Sequence, residues 1–273
     1  MGSKRNNKKA AGKQNKKRDS SVSVSGSTNN TQKCQKKSLV VSEKYSSCFP
    51  PHLLKPQKSS IYNSYKKSIL KPLYEGAVYF SEQFFSNEEC KAWIAYIENE
   101  CGGFEKTSQK ATRYYAHREC GRFQRNDWVM SGRLYDRMES LALELHDNVK
   151  EYLPSNCARP KTCNGNLRLY KYDRGMSFGK HYDSSDSTQH GDTAVTVLIY
   201  LSSCKGGATR FYPPKDGSSQ VDKVSSKEGI GFVPVQGAIL MHMHGPLCLQ
   251  HEADAVQEGI KYVLRTDIVY GKS

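Results

Sequence analysis

From Ala77 onward the chain carries apolar residues at two different spacings, whereas before Val22 there are almost no aromatic or β-branched residues. Ser86-Asn87-Glu88-Glu89 has the form of a capping box, a Ser followed three residues later by Glu. Behind it Cys90, Trp93, Ile94 and Ile97 recur at helical spacing until Gly102-Gly103. A second helix is predicted from about Asp127 to Tyr152, with Leu134, Met138, Leu141 and Leu145 along one stripe. After Pro160 the texture changes to short runs rich in Ile, Val, Tyr and Leu, punctuated by Gly, Pro, Ser and Asp. These are 167–172, 193–201, 208–212, 230–235, 238–242 and 262–270. Helices within about 86–152, then strands with no helices between them, predict an antiparallel sheet pair: a mainly β jelly-roll (double-stranded β-helix) over about 165–271, flanked by N-terminal helices.

Charge divides the chain more sharply than hydropathy does. Residues 1–71 hold 17 Lys/Arg against Asp19 and Glu43, whereas the remainder holds 24 against 25. A segment of Lys, Asn, Ser, Gly and Gln cannot bury enough apolar surface to offset its chain entropy. The expected organisation is therefore a basic disordered tail and linker over 1–71 and one folded domain over 72–273. Lys4-Arg5 and Lys13 with Lys16-Lys17-Arg18 resemble a two-part nuclear-import signal. The same charges suit RNA, DNA or ribosome contact, and equally a solvated tail without specificity.

Nine scattered cysteines without a CxxC pair argue against a disulfide framework. There is no apolar leader of the secretory kind and no run of membrane-spanning length. The expectation is an intracellular protein, nuclear or cytoplasmic, that is not secreted and does not contact a membrane.

Candidate chemistry begins at His181-Tyr182-Asp183. Residues two apart on an extended strand point to one side, so His181 and Asp183 can reach one ion together. HxD alone is a weak signal, more often a surface or hydrogen-bonding pair. A second imidazole, His251, would complete a two-His-one-carboxylate set that leaves three positions open, the arrangement of non-haem Fe(II) oxygenases. Such an enzyme using 2-oxoglutarate needs a buried cation for the distal carboxylate, because an unneutralised buried carboxylate is costly. Lys261 and Arg265 lie ten and fourteen residues after His251, and with Val263 they share one face of an unbroken strand. The plain alternative is that either side chain snorkels outward.

In combination these pieces resemble the catalytic domain of the prolyl 4-hydroxylase group of 2-oxoglutarate/Fe(II) dioxygenases, in an intracellular branch. The likeness runs from Glu82–Glu89 through Tyr172-Asp173-Arg174-Gly175 and Phe178–Asp183. It continues in Thr196–Ser202, Gly206-Gly207-Ala208-Thr209-Arg210-Phe211 and Pro234–Ala238, and closes in His251-Glu252 and Gly259–Tyr262. The resemblance implies a hydroxylase with Fe(II) held by His181, Asp183 and His251. It implies 2-oxoglutarate anchored by Lys261 with support from Tyr200 and, less clearly, Thr209, dioxygen as oxidant, and it admits ascorbate. Tyr172 would line the pocket, or simply pack. Arg265 departs from the group's pattern and would replace or assist Lys261; Lys261 is the preferred anchor. No motif of the group puts a ligand at His242 or His244, so both are expected to be structural.

A protein side chain is the substrate class that the resemblance favours. An oxidative demethylase of nucleic acid is the alternative suggested by the basic tail, although the near-neutral body speaks against it. A non-catalytic jelly-roll adaptor would ordinarily lack a metal ligand or the basic anchor, and a cupin-like isomerase would have no use for Lys261.

Overall fold

The protein's architecture is seen in a computed structural model that describes residues 46–55, 69–153, 158–214 and 228–271. Both basic clusters of the expected tail lie outside these residues. Residues 46–55 fall within the stretch expected as tail and linker, yet they are packed. Phe49 is 1% exposed, and its ring lies 5.2 Å from that of Trp93 and 5.9 Å from that of Tyr96. Asp127 explains why this segment is held. One of its oxygens accepts from Ser47 Oγ at 2.7 Å and from the amides of Cys48 and Phe49. The other accepts from Met130 N at 2.8 Å and so caps the long helix.

The capping box at Ser86 is formed, and it opens a helix over Asn87–Ala95 that continues as a single π-turn over Tyr96–Glu100. Gly102 and Gly103 then take φ of +80° and +82°, a conformation that ends the helix and suits glycine. The long helix runs from Trp128 to Val149 and buries Leu134, Met138, Leu141 and Leu145. No helix among the described residues is long and apolar enough to cross a membrane.

In chain order the strands are β1 (Lys71–Tyr74), β2 (Val78–Ser81), β3 (Glu105–Gln109), β4 (Arg118–Asn126), β5 (Pro160–Cys163) and β6 (Asn166–Tyr172). Then come β7 (Phe178–His181), β8 (Ser187–Thr188), β9 (Gly191–Tyr200), β10 (Lys205–Gly206) and β11 (Thr209–Tyr212). The last are β12 (Ile230–Phe232), β13 (Ile239–Met243), β14 (Gln250–Ala253), β15 (Val256–Glu258) and β16 (Lys261–Tyr270). The β3–β4 hairpin lies between the two helices, where the pattern shows neither helix nor strand. Its residues are mostly charged and polar, so what makes them a strand pair is the antiparallel partnership of β4 with β6.

The large sheet runs β1-β2-β13-β9-β16-β6-β4-β7-β14-β11-β12, every pair antiparallel, and curls into a nearly closed jelly-roll. Alternation along the long strands sorts their side chains to two faces. Val195, Val197 and Ile199 of β9, Met241 of β13 and Leu264 of β16 join the helices in one apolar core. The opposite face of the same strands carries Thr196, Leu198, His242, Lys261, Val263 and Arg265 into the interior of the roll. That second face is where the chemistry lies.

Candidate functional site

Strand pairing places the two imidazoles before any metal is considered. In the antiparallel register of β7 with β14, His181 and His251 are direct partners, and their rings are 4.2 Å apart. His181 Nδ1 is 2.9 Å from Gly179 O, and His251 Nδ1 is 2.9 Å from Leu249 O. A carbonyl can only accept, so each Nδ1 carries the hydrogen and each Nε2 keeps its lone pair. Both lone pairs face Asp183. His181 Nε2 lies 3.8 Å from Oδ1, and His251 Nε2 lies 3.7 Å from Oδ2. The ligating atoms of the three residues fall within 4.8 Å of one another. Two neutral imidazoles fixed through their far nitrogens, with one carboxylate, form a donor set suited to a divalent ion such as Fe(II).

The charges around Asp183 keep it ready. Burial works to raise its pKa, but Arg265, His242 and His251 together with the Thr196 hydroxyl hold it well below the usual carboxylate range. Arg265 reaches Oδ2 at 3.0 Å, and Thr196 Oγ1 donates to the same oxygen at 2.7 Å. Burial, reinforced by the neighbouring His251, depresses the His181 imidazole to about 3. His251 is lowered too, again chiefly by burial. Both rings are therefore neutral at physiological pH, the form that binds metal.

The two cations of β16 divide. Lys261 is 2% exposed and makes no ion pair with a carboxylate among the described residues. Its Nζ donates to Gly207 O at 2.7 Å and lies 3.4 Å from Thr209 Oγ1. Thr209 Oγ1 in turn lies 2.7 Å from Tyr200 Oη. The rings of Tyr172 and Tyr200 stand 5.5 and 5.6 Å from the ammonium. Gly207 can approach this closely because it has no side chain. Its φ is +63°, and a Cβ there would sit 3.1 Å from both Cys204 Sγ and Val256 Cγ2. Burial lowers the Lys261 amine to about 8, while Cys204 and Asp254 pull the other way.

Arg265 is already engaged. It lies 3.0 Å from Asp183 Oδ2 and 3.3 Å from Asp267 Oδ1, and Asp267 also pairs with Arg168. Burial alone would depress its pKa, but these carboxylates more than reverse that. Lys261, Val263 and Arg265 thus share the wall predicted for them, with the free-handed cation at one end and the committed one at the other.

His244 is structural, as expected: its Nε2 lies 2.8 Å from Thr196 Oγ1 and its Nδ1 3.3 Å from Thr193 O. His242 is not. It lines the cavity, with Nε2 3.5 Å from Asp183 Oδ2. The signal for it was present in the alternation of Ile239, Met241 and Met243 toward the core, which turns Leu240 and His242 inward. Thr196 opens a stretch that could be read only as a strand; the fold brings it to Asp183.

An antiparallel jelly-roll with two fixed imidazoles, a carboxylate and a buried lysine in one cavity defines a class, the non-haem iron oxygenases that use an oxo-acid cosubstrate. Residues 167–266 match the model of the 2OG-Fe(II) oxygenase superfamily, and this domain belongs to it. The matched residues thus form a 2-oxoglutarate- and Fe(II)-dependent oxygenase domain, with dioxygen as the second cosubstrate. Among solved structures it is similar to the viral collagen prolyl hydroxylase vCPH from Paramecium Bursaria Chlorella virus-1 in its 2OG complex. That pair is 16% identical with a TM-score of 0.45, covering 70% of this chain and 94% of that one. It is also similar to a Pseudomonas putida prolyl-4-hydroxylase (14% identity, TM-score 0.45, 72% and 94% covered). A third is the prolyl hydroxylase from Trichoplax adhaerens in complex with a hypoxia inducible factor oxygen degradation domain peptide fragment (14%, 0.47, 89% and 94%). No curated protein matches the chain.

Proposed function

We propose that this dioxygenase hydroxylates a C–H bond of a protein side chain, in the manner of a prolyl hydroxylase, with His181, Asp183 and His251 holding the iron and Lys261 binding the distal carboxylate of 2-oxoglutarate. The observation that carries the anchor is Lys261 itself: a buried ammonium, without a carboxylate partner among the described residues, in the same cavity as the three proposed ligands. A buried cation of this kind is destabilising unless something neutralises it. A small diacid does so.

When bound, Fe(II) with 2-oxoglutarate and dioxygen supplies the oxidation of C–H to C–OH, leaving succinate and carbon dioxide. The chain's own residues supply position and dryness. The carbonyls of Gly179 and Leu249 fix the tautomers of the two histidines. Arg265 and Thr196 hold one oxygen of Asp183, which sets the orientation of the other. Thr209 and Tyr200 stand beside Lys261 as further hydrogen-bonding groups for the cosubstrate, and Tyr172 packs against the ammonium. Leu198, Val263 and Phe178 line the cavity with apolar surface that excludes water.

Three exposed tyrosines favour a polypeptide substrate. Tyr182 lies between two of the ligands, and Tyr114 and Tyr115 lie on the loop between β3 and β4. That loop is joined to β7 where Gly179 N donates to His117 O at 2.7 Å. Exposed aromatic rings with a polar tip suit an extended peptide. A nucleic-acid substrate would call for positive charge over the folded body, and the charge is in residues 1–71.

The test begins with anaerobic titration of the Fe(II) protein with 2-oxoglutarate, watching for the metal-to-ligand charge-transfer band. Wild type should give it. Lys261→Ala should need roughly 30-fold more 2-oxoglutarate or worse, since truncating one member of a buried charge pair costs about 2–5 kcal/mol. A Lys261→Ala protein with wild-type affinity would remove Lys261 as the anchor. Substrate identity then follows from peptides that gain one oxygen only with 2-oxoglutarate present, compared with a His181→Ala control.

A further inference from the structure

His242 has no assignment in the site described so far. It is 1% exposed, and neither ring nitrogen has a hydrogen-bond partner among the described residues. Two unmet polar atoms in a buried ring are costly, and an apolar residue would fill the space without them. Cys248 is also buried, 2% exposed, and is a free thiol whose sulfur accepts from Asp183 N at 3.3 Å. The proposed iron set uses neither residue.

Both belong to one short stretch of chain with His251. β13 carries His242, the chain turns through Gly245–Leu247, and Cys248 and then His251 of β14 follow. The ligating atoms of His242, Cys248 and His251 lie within 4.8 Å of one another, and all three side chains are buried. Ligands that share a zinc ion at bonds of about 2.0–2.3 Å stand roughly 3–4 Å apart, so a small inward movement closes this set. Two residues separate Cys248 from His251, a spacing common among zinc ligands. The groups around them are already arranged for it. An amide donating to the sulfur favours the thiolate over the thiol. His251 Nδ1 donates to Leu249 O at 2.9 Å, which leaves Nε2 as its one lone pair.

We propose that His242, Cys248 and His251 form a second metal site, selective for Zn(II), that excludes iron because both sites need the one lone pair of His251. A thiolate with two imidazoles suits zinc, whereas two imidazoles and a carboxylate with open positions suit Fe(II). As the Zn–S bond forms, the thiol's proton leaves for solvent, and solvent completes the four-coordinate ion. Zinc here strips the iron set to His181 and Asp183. The site stands on its own residues; its effect on iron rests on the dioxygenase reading.

The experiment uses the full chain, metal-free and kept reduced by a phosphine, with one equivalent of Zn(II). X-ray absorption at the zinc edge should show one sulfur at about 2.3 Å beside nitrogen ligands at about 2.0 Å. The sulfur should vanish in Cys248→Ser, which still offers Asp183 N an acceptor. It should persist in His181→Ala, because His181 belongs to the iron set alone. In parallel, Zn(II) added to the wild-type Fe(II) and 2-oxoglutarate complex should abolish its charge-transfer band. Cys248→Ser and His242→Phe should need at least about tenfold more Zn(II), since even loss of an outer partner weakens a metal by about that much. No sulfur in wild type, sulfur retained in Cys248→Ser, or sulfur lost in His181→Ala would each overturn the proposal. Equal zinc sensitivity of wild type and Cys248→Ser would do so too. Should His242→Phe not fold, the other proteins decide. A charge-transfer band with no zinc–sulfur bond overturns this site only. A zinc–sulfur bond with no band in the zinc-free Fe(II) protein supports the site and overturns the dioxygenase reading.

Discussion

Lys261 and Arg265 are four residues apart on one strand, both basic and both turned into the roll, yet their surroundings give them different tasks. Arg265 meets Asp183 and Asp267, whereas Lys261 hydrogen-bonds a carbonyl and a hydroxyl and stands near two aromatic rings, with no ion pair among the described residues. The contrast gives two expectations at the scale of single residues. Burial holds the Lys261 amine near 8, so its charge is present below that pH and lost above it. Affinity for 2-oxoglutarate should be flat to about pH 7.5 and then weaken as pH rises, a trend that Lys261→Arg abolishes if it binds at all; charge-transfer titrations across pH would show it. Removing Arg265 should act on the metal instead. Arg265→Leu frees Asp183 from its strongest favourable neighbour, and Fe(II) affinity should fall about 10–100-fold, the usual cost of losing an outer-sphere partner. If Arg265→Leu impaired only 2-oxoglutarate binding, the division between the two cations would be wrong.

At the scale of elements, the helical layer is fastened by a buried ion pair that no periodicity announces. Glu89, 2% exposed, pairs with Arg137 of the long helix and also closes the capping box on Ser86. Burial raises its carboxyl pKa, but Arg137 and the Ser86 amide more than compensate, so the net shift is downward. Arg137→Ala would strand that carboxylate, and breaking a buried pair costs about 3–5 kcal/mol. Chemical denaturation should report a loss of that order near neutral pH. The sign with pH follows from the depressed carboxyl: the pair's contribution is full above the ordinary Glu range and is lost as pH falls through it and below, so the mutant and wild type should converge in acid. Helices, their caps and six of the strands could be read from spacing, because each depends on residues close in sequence. The β3–β4 hairpin could not. Glu105–Gln109 and Arg118–Asn126 have polar patterns typical of loops, and only the pairing of β4 with β6, and of β3 with β4, makes them strands.

At the scale of the whole molecule, the boundary between tail and body shifts toward the N-terminus. Phe49 and Leu53 are core residues and Asp127 ties their segment down, although the surrounding composition is that of a linker. Deleting residues 1–44 should remove most polyanion binding and leave turnover intact. Extending the deletion to residue 71 should also remove a buried Phe, a loss worth about 3–5 kcal/mol, and lower the thermal midpoint by several degrees. Equal midpoints for the two truncations would show that the packed segment contributes nothing.

The amino-acid sequence by itself determined the chemistry on offer: an HxD pair, a later histidine, two basic residues in step on one strand, and a jelly-roll to hold them. These were legible because alternation on a strand is a local property, and because the motifs are short. That Arg265 is the cation paired with Asp183, that Thr196 donates to Asp183, and that His242 lines the same cavity were decided by the tertiary structure. Each depends on strands distant in the chain meeting in one register, and no spacing within a single segment encodes that distance.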